Sequence, residues 1–273
     1  MSLPLALPQP VSSPGFTLET RRLLARLPGE RGLWVMQEAH EQVQTARPEA
    51  SPYPNGGGTQ AARLAHYFLL AALLRGERAL FLDAANCFNP HRLARLCSMS
   101  YGGQAEMIRR PGRQPEELLA RVRLSRAFTC FQLAELVERV PAAAQRWGAR
   151  CVFLTGVPEI FDDEELQEAE ARRVFLRALA GMRRWRSYDR PSGRTHEPDT
   201  GKRGLQLSTL VFTAVLTPLR PAPSGPQRWL AAQLQRAADG VFRFEKTPAG
   251  LAVRGGGKFP TLCAPSATSA SLR

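Results

Sequence analysis

The feature that most constrains this chain is the alternation of short, largely apolar runs with longer segments of helical period. GLWVM (residues 32–36) and ALFL (79–82, ending at Asp83) are apolar at successive positions, and CVFLTG (151–156) and LSTLVFTAVLTPL (207–219) are mostly so, as strands covered on both faces are. Between them lie TQAARLAHYFLLAALLRG from Thr59, with Gly76 as a C-terminal stop, and PHRLARLCSMS, opened by Pro90. A helix around Leu118 leads to RVRLSRA, a strand, and FTCFQLAELVERVPAAAQRWG is a helix. DDEELQEAEARRVFLRALAGMRRW is a long helix with acids at its start and arginines at its end, the order the helix dipole favours. WLAAQLQRAADG is a further helix, and VFRFEKTPAGLAVRGG reads as a hairpin turning at Pro248, Ala249 and Gly250. Strands alternating with helices predict an α/β fold: a mostly parallel sheet with right-handed crossovers, helices on both faces and an antiparallel hairpin at one edge.

One domain over residues 17–263 accommodates all of these segments. It opens with a short amphipathic helix over 17–28, in which Leu18, Leu23, Leu24 and Leu27 share a face. Residues 1–16, broken by Pro4, Pro8, Pro10 and Pro14, are expected to be a disordered leader rather than a signal peptide, and residues 264–273 a disordered tail. SYDRPSGRTHEPDTGKRGLQ (187–206) is expected to be a flexible basic insertion. No run of about 18 apolar residues is present, which argues against a membrane span. Five cysteines without a C-x-x-C pair, and only four histidines, fit reduced thiols in a cytoplasmic protein and no structural metal site.

The formal net charge is +13, and all but three of the 37 basic residues are arginine. Such an excess points to a polyanionic partner, nucleic acid first. The alternative is an arginine-rich surface that is merely solvated.

A glycine cluster between a strand and a helix is where α/β proteins hold phosphate, because backbone N–H groups converge there at a helix N-terminus. Asn55, Gly56, Gly57, Gly58, Thr59 and Gln60 occupy that place. A working phosphate loop needs G-x-x-x-x-G-K-[ST]. In this window the second glycine is Gly57, the lysine position is Gly58 and the hydroxyl is Thr59. Thr59 could meet a magnesium ion or simply cap the helix.

The order of segments resembles the RecA/RadA recombinase family. RALFLDAANCFNPHRLARL resembles its second core strand, acidic strand end and following helix, and RVRLSRAFTCFQLAELVERV its third strand, "SRA" segment and helix. NGGGTQAARLAHYFLLAAL resembles the family's nucleotide loop, which usually ends G-K-T-Q; VFRFEKTPAGLAVRGGGKFP resembles its closing hairpin. The likeness runs over about residues 32–260, most specifically 79–133. It implies a RecA-like fold with a nucleotide site at Gly56, Gly57, Gly58, Thr59, Gln60 and Asp83. Pro52 stands at the loop's first glycine, and three charged positions depart from the pattern: Gly58 replaces the lysine, Ala85 the glutamate that polarises the attacking water, and Thr155 the aspartate associated with magnesium. Phosphoryl transfer rests on positioning and charge stabilisation, so losing the cation, the base and the metal ligand together predicts a non-catalytic chain with neither ATP nor magnesium as cofactor.

In that family, loops at the carboxyl ends of the later strands grip single-stranded DNA. Here Arg183, Arg184, Arg186, Arg190, Arg194, Lys202 and Arg203 gather with Trp185 and Tyr188, and Arg220 and Arg228 accompany Trp229. Arginines with interleaved aromatics suit sequence-tolerant single-strand binding. Arg109, Arg110 and Arg113 form a smaller cluster. The expected role is an accessory factor in DNA repair or recombination, with single-stranded DNA or a RecA-family recombinase as partner. The alternatives are a regulatory protein-binding module of the cell-division or translesion-synthesis type, and a residual ATP binder.

Overall fold

The computed structural model describes residues 27, 32–38, 60–100, 114–161, 166–185, 207–213, 225–247 and 250–257. Its strands are β1 (Gly32–Glu38), β2 (Ala79–Asp83), β3 (Val122–Arg126), β4 (Cys151–Thr155), β5 (Ser208–Thr213), β6 (Gly240–Thr247) and β7 (Gly250–Gly257). They form one sheet in the order β3-β2-β4-β5-β1-β6-β7. β1 to β6 are all parallel; β7 returns antiparallel along β6, with Thr247 opposite Gly250. The helices are α1 (Gln60–Leu74), α2 (Pro90–Ser100), α3 (Pro115–Leu119), α4 (Cys130–Trp147), α5 (Glu168–Arg184) and α6 (Gly225–Ala237).

Strand order and crossover hand together decide which face each helix covers. The chain steps from β1 to β2 to β3 in one direction and returns through β4, β5 and β6 in the other. With right-handed crossovers, α1 to α3 fall on one face and α4 to α6 on the opposite face. The strand side chains alternate accordingly. Trp34, Met36, Phe81, Phe153 and Phe212 join Phe68, Leu93 and Leu118 in one core. Leu33, Val35, Leu80, Leu82, Val152 and Val211 join Leu133, Phe175 and Leu234 in the other. Across the first core, Phe81 stacks near-parallel on Phe153 at 6.1 Å and Phe153 on Phe212 at 6.3 Å.

Helix ends follow local chemistry. Thr129 caps α4 by accepting the Gln132 amide at 3.2 Å. Gly76 and Gly148 follow α1 and α4 with positive φ; the amides of Gly76 and Glu77 return to Leu73 and Ala72, and those of Gly148 and Ala149 to Gln145 and Ala144. Both helices therefore end in the paired return bonds of a Schellman motif, for which a residue without Cβ is favoured.

Two boundaries differ from the sequence expectation. α5 starts at Glu168 rather than at the acidic run from Asp162, because Glu159–Phe161 closes as a 3-10 turn that buries Phe161 and Gln167 enters the helix in an extended conformation. Residues 162–165 lie outside the described residues, as do the expected leader, the helix over 17–28 except Leu27, the insertion 187–206 and the tail.

Candidate functional site at the carboxyl edge of the sheet

In a parallel sheet, ligands bind beyond the carboxyl ends of the strands, where crossovers to opposite faces leave a crevice. The crossover leaving β2 goes to one face and that leaving β4 to the other, so their adjacent ends form such a point. In register there stand Arg126, Asp83 and Thr155, the last residues of β3, β2 and β4.

The Asp83 side chain is fully buried, and three neighbours donate hydrogen bonds to it. Oδ1 accepts the Thr155 hydroxyl at 2.8 Å and the Cys87 amide at 2.9 Å; Oδ2 accepts the Phe88 amide at 2.9 Å. The half-exposed Arg126 guanidinium lies 3.8 Å from Oδ2. Asp83 thus ties the loop after β2 to the end of β4. His66 on α1 fastens the same loop from the other side, its Nε2 accepting the Asn89 amide at 3.0 Å while its ring stacks on Phe88 at 5.7 Å. Burial first, then the neighbouring Asp83 carboxylate, pushes the Cys87 thiol up to about 12, so it is an unreactive thiol.

Gly156 holds this edge closed. Its φ is 75°, and a Cβ there would stand 2.6 Å from the Ala85 amide nitrogen and 2.7 Å from the Ala84 carbonyl carbon. Ala84 donates its own amide to the Thr155 carbonyl at 3.1 Å. Farther along the edge, Thr213 donates to Glu159 Oε1 at 2.9 Å, and Gln235 donates to Gln37 at 3.2 Å. Gln37 and Thr213 are register partners, so these polar pairs continue the row across β5 and β1. Among the described residues no group of three His, Cys, Asp or Glu side chains could hold a metal ion.

The other expected site residues are dispersed. Gly56, Gly57, Gly58 and Thr59 lie outside the described residues; Gln60 is the first residue of α1, and its side chain is not described. Arg183 and Arg184 are exposed in the last turn of α5. That helix leaves the carboxyl side of β4 and runs back for 17 residues, roughly 25 Å, toward the start of β5. The expected position near the carboxyl ends of the strands is therefore corrected for these two arginines. Trp185 is corrected as well: it is 1% exposed, and its indole N–H donates to the Val137 carbonyl at 3.1 Å, so its ring packs in the core and offers no face to a base. Arg228 is exposed in the first turn of α6, on the carboxyl side. Arg186, Arg190, Arg194, Lys202, Arg203 and Arg220, with the smaller cluster Arg109, Arg110 and Arg113, lie outside the described residues.

One basic arrangement is absent from the sequence expectations. Arg78, Arg121 and Arg150 immediately precede β2, β3 and β4, and the register Val122–Ala79–Cys151 aligns them in one row at the amino edge. The signal was local, an arginine before each of three strands, but only the pairing register joins the three.

Among the described residues no helix is long and apolar enough to cross a membrane. No protein-family model matches the chain, and no curated protein matches it.

Proposed function

We propose that this chain is a non-catalytic RecA-like protein of the cytoplasm that acts as a DNA-binding or recombinase-associated accessory factor in repair and recombination. The observation that carries the non-catalytic part is the state of Asp83. A carboxylate that serves a metal or a water needs free lone pairs facing a ligand; this one already accepts a hydroxyl and two amides and has a guanidinium beside it. Thr155, at the position of the family's magnesium-associated aspartate, directs its hydroxyl at Asp83 and brings no negative charge. With glycine at position 58 and alanine at 85, the sequence carries neither the lysine nor the glutamate that the family uses in phosphoryl transfer. The DNA-binding part rests on the net charge of +13 carried almost wholly by arginine.

Two measurements test this reading. ATP with magnesium is expected to give no turnover and no thermal shift that depends on Thr59, as judged against Thr59→Ala. A fluorescent oligothymidylate is expected to bind at low salt and to be released steeply as salt is added. ATP hydrolysis abolished by Thr59→Ala, or no oligonucleotide binding at low salt, contradicts the proposal.

A regulatory protein-binding role without DNA contact has one specific observation behind it. Among the described residues β3 pairs only with β2, and Leu124 on it, with Phe128 and Phe131 just after it, are 40%, 71% and 47% exposed. Co-purification of a protein partner, with no salt-sensitive DNA affinity, distinguishes this second reading.

A further inference from the structure

We infer that the amino-terminal rim of the sheet, opposite the Asp83 edge, is a binding site for the phosphodiester backbone of single-stranded nucleic acid. This rests on the DNA-binding function proposed above and gives it a location. An open cleft of about 260 Å³ lies between the turn after α1 and the turn after α4, lined by Arg75, Gly76, Glu77, Arg78, Gly148 and Arg150. The Arg150 amide donates to the Arg78 carbonyl at 3.1 Å, and the Ala79 amide to the Arg121 carbonyl at 3.0 Å, so the row of arginines is fixed to the sheet by its backbone. Arg123 on β3 joins them, its guanidinium 4.0 Å from the centre of the Trp147 ring; that of Arg78 is 5.0 Å from the same ring.

The plain account of arginines at this rim is that they neutralise helix C-termini, and part of the charge is used that way. Arg78 donates to the Trp147 carbonyl at 2.9 Å and Arg121 to the Leu73 carbonyl at 3.4 Å. Each helix end carries about half a negative charge. The ends of α1 and α4 therefore offset about one positive charge, and Glu77 one more. Arg78, Arg121, Arg123 and Arg150 supply four, which leaves about two in excess along the rim. None of the described ion pairs includes Arg78, Arg121, Arg123 or Arg150. A guanidinium has five N–H donors, so Arg78 and Arg121 keep donors beyond their one carbonyl bond.

The donor geometry selects the ligand class. Guanidinium forks match phosphate oxygens two at a time, and a line of them along a sheet edge suits a repeating anion better than a single carboxylate. Trp147 already has arginines over its ring, so it stiffens the site and leaves the bases unread. The contact is with backbone, and it is independent of sequence.

The test uses the full chain and fluorescence anisotropy of a labelled oligothymidylate at several salt concentrations. Arg123→Glu with Arg150→Glu reverses two exposed charges for which no side-chain hydrogen bond is described. The expected result is affinity weaker by a factor of ten or more. Removing two phosphate contacts from a single strand is also expected to reduce the salt slope by about 1.4. Arg123→Gln with Arg150→Gln, which keeps the size of the side chains and adds no negative charge, is expected to move affinity in the same direction and guards against a misfolded reversal. Excess inorganic phosphate is expected to compete weakly; full displacement at low millimolar phosphate would mark a free-phosphate pocket and overturn the assignment. If the parent binds the oligonucleotide and both rim variants bind equally well, the rim is wrong while the proposed function survives. A parent that binds no oligonucleotide at low salt sinks both.

Discussion

Thr155 donates its hydroxyl proton to Asp83 across 2.8 Å at the buried ends of two neighbouring strands. This bond joins the loop after β2 to the end of β4, because the same carboxylate also holds the Cys87 and Phe88 amides. Thr155→Val keeps the shape and removes the donor, and is expected to cost about 1–2 kcal/mol. Asp83→Ala leaves a hydroxyl and two amides without their acceptor and is expected to cost about 3 kcal/mol or more. Urea denaturation of both variants measures the difference. Equal losses would show that the loop amides draw no support from the carboxylate.

Gly156→Ala is expected to be among the most damaging single-methyl additions to the fold. The residue has φ of 75°, and the added carbon would meet main chain at 2.6 Å, which no side-chain rotation relieves. A loss of about 2–4 kcal/mol is expected. A calorimetric melting point unchanged from the parent would refute the close approach of the two loops.

Trp185→Phe keeps most of the buried ring and deletes the N–H that reaches the Val137 carbonyl. Stability is expected to fall by about 1 kcal/mol, and oligonucleotide affinity to stay where it was. Loss of affinity with intact stability would return Trp185 to the role that its neighbouring arginines suggest in the sequence.

Cys87, Cys97 and Cys151 give the fold an alkaline limit. Burial is the main cause in each, and it pushes their thiols from an ordinary 9.0 up to about 12. Above about pH 9 the unfolded chain releases these protons while the folded chain keeps them. The folded state then binds more protons, so stability falls as pH rises through that window and is fully present below it. Each such thiol contributes a slope of about 1.4 kcal/mol per pH unit at most. Urea midpoints taken on either side of pH 9 are expected to decline, and Cys151→Ala to make the decline shallower. A flat profile would show that the thiols ionise in the folded state.

What the sequence determined by itself was what local pattern can carry. Four apolar runs at residues 32, 79, 151 and 208, each followed by a helical segment, fixed an alternating α/β order, and the helix stops at Gly76 and Gly148 stand where their residues require them. The absence of lysine at 58, glutamate at 85 and aspartate at 155 is likewise a fact of the chain alone. Tertiary structure decided the rest, since strand order and register are set by crossovers and by neighbours distant in sequence. Thr155 meets Asp83 from 72 residues away. Trp185 looks like one member of a basic, aromatic surface until α4 presents the Val137 carbonyl to its indole. Arg78, Arg121 and Arg150 become a single row only when β2, β3 and β4 pair with their first residues level. Periodicity tells a residue which face it occupies; only the packed sheet supplies the partner on that face.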